Sequence, residues 1–185
     1  ITVKYVWERE FKKWLGEEFY RKNIEFIEGF PESRARQWRA RKMFLIANYE
    51  QEGDRGLLKL AQKNRVMIIA DECTHIKNIT AKRTKNMMEI PAVYKIGLSG
   101  EPLERSMKEI HTIERWLDTK VFDTFADFKR RYMMAKSRWK IERNLSELHK
   151  YLEQTIMYRK TMYEVAPEMP RPQIIEHEIE FQGDV

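Results

Sequence analysis

A short apolar run that ends in two carboxylates constrains the fold of this chain more than any other stretch. Val66–Ala70 contains no polar residue, and Asp71 and Glu72 follow it directly. A run of this length indicates a strand covered on both faces, as strands of parallel sheets are. Functional groups in open α/β sheets gather just beyond the carboxyl ends of such strands. The acidic pair therefore predicts either a site for hydrated Mg²⁺ beside a nucleotide's phosphates or a simple cap of the next helix.

Strand and helix patterns alternate along the first two thirds of the chain. Short apolar or alternating runs indicate strands, and apolar residues at helical spacing indicate helices. The strand patterns lie at 23–29, 43–49, 66–70 and 94–98, and the helical patterns at 7–19, 33–42, 53–63, 80–89 and 104–117. This alternation predicts an α/β fold with a mostly parallel sheet flanked by helices.

The last third of the chain has a mainly helical pattern. Helices are predicted at 124–134 and 145–156, and an alternating strand pattern covers 174–181. Three prolines between residues 167 and 172 separate the helical and strand patterns. We expect one domain over residues 1–120 and a helical extension with a closing strand over residues 121–185.

Composition restricts the class of protein. No apolar run approaches the ~20 residues of a membrane span, and no signal peptide opens the chain. A single cysteine, Cys73, excludes an internal disulfide, and the four histidines lack the spacing of zinc ligands. The net charge of +6 favours a polyanionic partner. These features predict a cytoplasmic or nuclear protein that is neither secreted nor in a membrane.

Several segments occur in the order of one known family. Residues 71–78, Asp-Glu-Cys-Thr-His-Ile-Lys-Asn, and residues 98–102, Leu-Ser-Gly-Glu-Pro, are the two most specific. They are similar to motifs II and III of the Swi/Snf-type helicase-like ATPases in helicase superfamily two. The Trp-Glu-Arg-Glu-Phe-Lys-Lys-Trp segment at 7–14 and Met-Tyr-Arg-Lys at 157–160 resemble further family segments. The chain resembles the later part of the family's first RecA-like lobe, with a partial lobe over residues 1–120.

The resemblance implies a role for each matching residue of the ATP site. Asp71 would hold Mg²⁺, usually through water, and Glu72 would position or deprotonate the water that attacks ATP. Thr74, Ser99 and Gly100 would complete the nucleotide site. Ser99 and its neighbours would also link the nucleotide state to the grip on DNA.

Basic residues are candidates for other contacts. The resemblance places Arg159 and Lys160 near the boundary between two lobes, where the family uses arginines for interdomain contacts. Lys82, Arg83 and Lys85 could contact DNA phosphates, which would give salt-dependent binding without sequence preference. A solvated helix surface explains these three residues equally well.

Two positions depart from the family pattern. Thr74 replaces the histidine of motif II, and its hydroxyl can still form a hydrogen bond to motif III. Glu101 replaces the threonine of motif III and puts a charge where the family has a hydroxyl. The second change bears on coupling rather than on the fold.

The sequence contains no Gly-x-x-x-x-Gly-Lys-Ser/Thr loop. A phosphate cradle needs the backbone amides of such a loop and its lysine, and phosphoryl transfer in this family also uses an arginine from a second lobe. We expect the loop upstream of residue 1 or on a separate chain, the second lobe in the same protein or on another chain, and no ATP turnover by residues 1–185 alone. Another segment would then pair with the sheet, or the sheet would close around the gap.

The sequence favours part of a DNA-dependent ATPase that moves on duplex DNA with ATP and Mg²⁺. The first alternative is a degenerate lobe that binds DNA or a partner without hydrolysis. The second is another superfamily-two motor, such as a restriction-type translocase or an RNA helicase.

Overall fold

The computed structural model describes residues 2–100, 106–117, 122, 124–136, 139–142 and 144–170, so the strand expected at 174–181 lies outside the described residues. The helices in these ranges are α1 (Thr2–Leu15), α2 (Glu17–Asn23), α3 (Pro31–Gln37), α4 (Arg55–Lys63), α5 (Lys82–Glu89), α6 (Met107–Trp116), α7 (Phe125–Tyr132), α8 (Leu145–Thr155) and α9 (Met162–Val165). The strands are β1 (Ile24–Phe26), β2 (Phe44–Ile46), β3 (Met67–Ala70), β4 (Tyr94–Gly97), β5 (Met133–Lys136) and β6 (Trp139–Glu142).

The strands form three separate pairs within the described ranges. β1 pairs with β2 and β3 with β4, both in parallel, whereas β5 and β6 form an antiparallel hairpin. The parallel pairing and the intervening helices confirm the mixed α/β class. Within the described ranges β2 and β3 share no ladder, so the predicted parallel sheet is present as two separate parallel pairs, with a break at the expected gap.

One face of β3 lies on a core built by α4, α5 and α6. Ala70 at the end of β3 is buried, and Val66 and Ile68 pack partly against the same cluster. The remaining buried members come from the three helices and from the turn after β3: Ala61, Cys73, Ile76, Met87, Ile90, Ile113 and Trp116. The core therefore fixes the end of β3 from one side.

The opposite face of β3 and β4 is open. Met67 and Ile69 are 53% and 47% exposed, and Tyr94 and Ile96 on β4 are 62% and 42% exposed. Successive side chains of a strand point to opposite faces, and α4, α5 and α6 pack on the Ile68 side alone. The expected cover on both faces of β3 is therefore wrong for the described residues.

Two helix boundaries differ from the sequence patterns. The helix predicted over 7–19 is split at Gly16, whose φ of 85° and ψ of 158° end α1 and start α2. Glycine adopts positive φ without the steric cost of a Cβ. Pro31 lies in the first turn of α3, where its fixed φ suits a helix start, so α3 begins before residue 33 and ends before residue 42.

Helices α6 and α7 enclose an aromatic cluster. Ser106 and Thr124 begin these helices with side-chain oxygens that accept backbone N–H bonds from Lys108 and Asp127. The largest buried side chains of the pair are Trp116, Phe128 and Tyr132, each at most 1% exposed. The rings of Phe128 and Tyr132 lie 5.1 Å apart, in the range of favourable aromatic contacts.

The chain divides into two compact units, Ile1–Leu145 and Ser146–Val185. In the second unit, Leu148 and Leu152 are buried on one face of α8. Thr161 and Glu164 form a reciprocal capping box at the start of α9. Among the described residues, no helix combines the length and apolarity needed to cross a membrane.

Candidate functional site

The two carboxylates predicted to carry chemistry lie on an exposed turn at the end of β3. We call residues 71–76 the acidic turn; its last four residues, Cys73–Ile76, form a short 3₁₀ helix. Cys73 and Ile76 are 3% and 0% exposed, whereas Asp71 and Glu72 stay at the surface. Two core residues thus hold the turn in place while its carboxylates remain accessible.

Glu72 has a left-handed backbone, with φ of 48° and ψ of 58°. A non-glycine residue in this region costs of order 1–3 kcal/mol and persists only where its surroundings enforce it. The enforcement here comes from Cys73, whose buried side chain follows directly. Strained positions of this kind cluster at functional sites, which agrees with the predicted role of this turn.

The β3–β4 register brings the second predicted segment to the acidic turn. Ala70 is paired with Gly97, and the Leu98 amide donates to the Ala70 carbonyl at 2.9 Å. The Cys73 amide in turn donates to the Leu98 carbonyl at 2.8 Å. The serine segment, Leu98–Gly100, therefore leaves the sheet at the same edge as Asp71 and Glu72.

Gly97 makes this close approach possible. A Cβ added at Gly97 would lie 3.0 Å from Cys73 Sγ and 3.2 Å from Cys73 Cβ. The same addition at Gly100 would meet no atom within 4 Å. Only the first glycine is therefore required by packing, and burial raises the pKa of the Cys73 thiol, which keeps it neutral beside Gly97.

Asp71 is held by two aromatic side chains from distant parts of the chain. Trp7 Nε1 of α1 donates to Asp71 Oδ2 at 3.3 Å. Tyr49 Oη donates to the Asp71 backbone carbonyl at 2.8 Å. Oδ1 of Asp71 accepts no hydrogen bond from the part of the chain described here.

Tyr49 lies in a cluster of its own at the end of β2. Its ring centroid is 5.1 Å from that of His75 and 5.6 Å from the Arg83 guanidinium carbon. Arg83 also forms an ion pair with Glu50 at 3.0 Å. Burial and nearby negative charge raise the pKa of Tyr49, so its phenol remains a neutral donor to Asp71.

Thr74 makes no hydrogen bond to the described part of motif III, so its predicted contact with that motif stays a prediction. It is half-buried in the acidic turn, and among the described residues its hydroxyl forms no hydrogen bond to the serine segment. The backbone of Cys73 makes that link instead. Glu101, the other departure from the motif pattern, lies outside the described residues.

The three basic residues predicted to contact DNA have different surroundings. Lys82 and Lys85 are exposed on α5, whereas Arg83 is half-buried against Tyr49 and paired with Glu50. Arg83 thus faces the acidic turn rather than open solvent. Lys82 and Lys85 are the exposed members of the three, and the contact with DNA phosphates stays a prediction.

Arg159 and Lys160 lie in the second compact unit, between α8 and α9. Both are exposed. The Lys160 ammonium is 3.6 Å from Glu164 Oε1, which contributes little at such an exposed position. Their predicted interdomain role stays a prediction.

A second group of hydrogen-bonded side chains in the first compact unit was not predicted from the sequence. The Arg34 guanidinium donates to both carboxylate oxygens of Asp54, at 2.8 and 3.0 Å, and Trp38 Nε1 donates to the same carboxylate at 3.0 Å. Hydrogen bonds from Arg34 lower the pKa of Asp54. Charge pattern gave no signal, because Arg34 is one of several arginines on α3 and α4 that look alike in sequence.

The residues present fit Mg²⁺ better than a more tightly held metal. Within the described ranges, no group of three or more histidine, cysteine, aspartate or glutamate side chains could hold a metal. Mg²⁺ keeps most of its waters and needs only one or two carboxylates. Oδ1 of Asp71 accepts no hydrogen bond from the described residues, so Asp71 provides that kind of ligand.

Comparison with known families decides the affiliation. A family model described as the SNF2-related domain matches residues 1–184. The chain belongs to the SNF2-related family. The resemblance drawn from motifs II and III is thereby confirmed, and SNF2-family membership implies ATP as the nucleotide.

Several SNF2-type relatives show the extent of the match. The Xenopus laevis SWI/SNF-related matrix-associated actin-dependent regulator of chromatin subfamily A-like protein 1 is 28% identical over 179 residues, which cover 93% of this chain and 18% of that protein. The Mus musculus chromodomain-helicase-DNA-binding protein 1-like is 27% identical over 107 residues, covering 57% and 11% respectively. The chain thus spans between 11% and 18% of the length of these two relatives.

A solved SNF2-type structure has the same fold. The Sulfolobus solfataricus SWI2/SNF2 ATPase core in complex with dsDNA superposes with a TM-score of 0.57 at 22% identity. The superposition covers 71% of this chain and 26% of the archaeal chain. The described α/β elements therefore match part of an SNF2 ATPase core.

Proposed function

We propose that this chain supplies part of the ATP-hydrolysing centre of a DNA-dependent translocase that moves on duplex DNA. One observation carries the proposal: the acidic turn and the serine segment are joined by the hydrogen bond from the Cys73 amide to the Leu98 carbonyl. Two motifs that act together in this family are therefore adjacent at one sheet edge. Residues 1–120 form the partial lobe in this proposal, and residues 121–185 its extension.

Asp71 and Glu72 divide the chemistry between them. Asp71 holds Mg²⁺ through water, and when bound the ion neutralises charge on the ATP phosphates. Glu72 orients the attacking water and accepts its proton.

The serine segment transmits the state of the ATP site. The Leu98 carbonyl accepts from Cys73, and its amide donates to Ala70, so Leu98 is bonded on both sides of the acidic turn. A shift of the turn on hydrolysis would pull on this backbone. Ser99 and Gly100 follow directly and would carry the shift toward bound DNA.

Duplex DNA is the proposed binding partner, along which the complete protein would move. The archaeal SNF2 core described above was solved with dsDNA, and this chain carries a net charge of +6. Lys82 and Lys85 on the exposed side of α5 would contact backbone phosphates. Such contacts position the protein without reading sequence, as a translocase requires.

Turnover is proposed for the complete protein rather than for this stretch. The chain spans a small share of its relatives, and it contains no phosphate-binding loop. The loop and a second RecA-like lobe would come from other parts of the same protein or from a partner chain. Arg159 and Lys160 would face that second lobe.

Replacing Glu72 tests the proposal in the full-length protein that contains this chain. We expect duplex DNA to stimulate its ATPase, and Glu72→Gln to lower turnover by about 10²–10⁴-fold, the usual contribution of a general base. Binding of a fluorescent ATP analogue should be retained, because Gln keeps the size of the side chain. Steady-state ATPase assays and fluorescence titration measure the two effects.

Glu89→Gln on α5 is the matched control, since it removes the same charge from an exposed position away from the acidic turn. Equal turnover in the wild type and Glu72→Gln would refute the assignment of Glu72. A wild type that binds DNA but never hydrolyses ATP would establish the inactive binding module instead. Stronger stimulation by RNA than by duplex DNA would favour an RNA helicase.

A further inference from the structure

We propose that Trp7 and Tyr49 are positioning residues that hold Asp71 ready for Mg²⁺, a role that rests on the proposed function of this site. Neither residue touches the phosphates or the attacking water in this proposal. Each acts through Asp71, one on its side chain and the other on its backbone. We call the three residues the aspartate clamp.

Trp7 fixes the rotation of the carboxylate. Its indole N–H donates to Oδ2 at 3.3 Å from α1, 64 residues away in sequence. A carboxylate held at one oxygen presents the other in a defined direction. In the described structure that other oxygen, Oδ1, takes no protein donor and remains available to a water of the Mg²⁺ shell.

Tyr49 fixes the peptide that precedes the strained residue. Its hydroxyl donates at 2.8 Å to the Asp71 carbonyl, which belongs to the peptide bond between Asp71 and Glu72. Rotation of that peptide would change φ of Glu72 from its left-handed value of 48°. The phenol therefore holds both acidic residues through one bond.

The donor of that bond is itself well fixed. The Tyr49 ring lies beside His75 and under the Arg83 guanidinium, and Arg83 is paired with Glu50, the neighbour of Tyr49. Tyr49 also packs against the hydrophobic core. A hydroxyl on a ring held this way loses little entropy when it donates.

The clamp also connects the ends of two strands that do not pair with each other. β2 and β3 belong to separate sheets within the described chain, so no backbone hydrogen bonds fix the position of one strand along the other. Tyr49 follows β2 and bonds to the residue that follows β3. The side chain thus provides a connection that neighbouring strands of one sheet would provide through their backbones.

Conservative variants of the full-length protein test the clamp. Tyr49→Phe removes only a hydroxyl, and Trp7→Phe removes the indole N–H. We expect each to raise the Mg²⁺ concentration for half-maximal binding of a fluorescent ATP analogue by about tenfold, since outer-shell partners typically contribute 10–100-fold to metal affinity or activity. Binding measured this way does not depend on turnover.

Two matched controls separate positioning from general damage. Tyr94→Phe removes a hydroxyl from a 62% exposed tyrosine on β4. Trp14→Phe removes an indole donor to a carboxylate, in this case Glu10 at 3.0 Å, away from the acidic turn. Both controls should keep the Mg²⁺ midpoint of the wild type.

Circular dichroism at the temperature of the titration establishes that each variant is fully folded, because a folding equilibrium would itself raise the apparent midpoint. Unchanged midpoints in both Tyr49→Phe and Trp7→Phe would overturn the clamp. If Glu72→Gln still abolishes turnover in that case, the proposed function stands and only the clamp fails. If Glu72→Gln turns over normally, the proposed function itself fails.

Discussion

The aromatic cluster of α6 and α7 and the β3–β4 pair use their apolar side chains in opposite ways. Phe128 and Tyr132 are each 1% exposed, whereas Met67 and Tyr94 are 53% and 62% exposed. Both regions belong to the first compact unit. One closes its own core, and the other keeps a face open.

Stabilising contacts are therefore distributed unevenly in the described residues. Phe128 and Tyr132 are enclosed, so truncating either one removes buried contacts outright. On β3 and β4 only the side facing α4, α5 and α6 is packed by described residues, and the alternate side chains gain little from folding. The acidic turn therefore follows a strand that is packed on one side.

The largest effect should come from the closed region. Phe128→Ala should lower the free energy of unfolding by about 3–5 kcal/mol, because a fully buried aromatic side chain is replaced by a cavity. Urea unfolding followed by circular dichroism measures the change. Phe128→Leu is the control, because it keeps a large apolar side chain at the same buried position. A loss below about 1 kcal/mol in Phe128→Ala would show that the region is not closed.

An intermediate effect is expected where the two regions meet. Gly97→Ala should cost about 1–3 kcal/mol, since the new Cβ would press on Cys73 at 3.0–3.2 Å, with the Trp116 ring 3.7 Å away. Gly100→Ala, with open space around it, should be close to neutral. Thermal unfolding of the two variants side by side tests this pair. Equal melting temperatures would mean that the acidic turn does not pack against β4 as described.

The smallest effect belongs to the open face. Ile69→Thr should change the free energy of unfolding by less than about 0.5 kcal/mol, as surface substitutions generally do. Ile68→Thr, one residue away on the packed face, should cost clearly more because Ile68 contacts the core. Chemical unfolding of both variants measures the contrast. If Ile69→Thr were as costly as Ile68→Thr, the face would be covered and the comparison with α6 and α7 would lose its basis.

Local pattern predicted the elements around the site well. The apolar run at 66–70 became β3, the run at 94–98 became β4, and the acidic pair follows the strand as expected. Such runs are predictable because strand pairing and burial act on a few consecutive residues. The left-handed Glu72 could not be foreseen, since it depends on how Cys73 enters the core.

Contacts between residues far apart in the chain could not be predicted from local sequence patterns. Trp7 and Tyr49 reach Asp71 across 64 and 22 residues, and nothing in either local pattern names its partner. The β5–β6 hairpin was also missed and partly assigned to a helix, because residues 136–139 contain no glycine, proline or asparagine to mark a turn. The sequence also left open how the sheet accommodates its missing strand, because local runs predict strands but not their neighbours.

The open face of β3 and β4 also matters while the polypeptide is being made. Its exposed apolar side chains, and the strand edges left unpaired by the described residues, are features that promote strand-to-strand aggregation and chaperone binding. While this face is uncovered, the newly made segment is protected by its charge and by its short strands rather than by its packing. Solubility during synthesis thus depends on whether a further layer comes to lie over Met67 and Ile69.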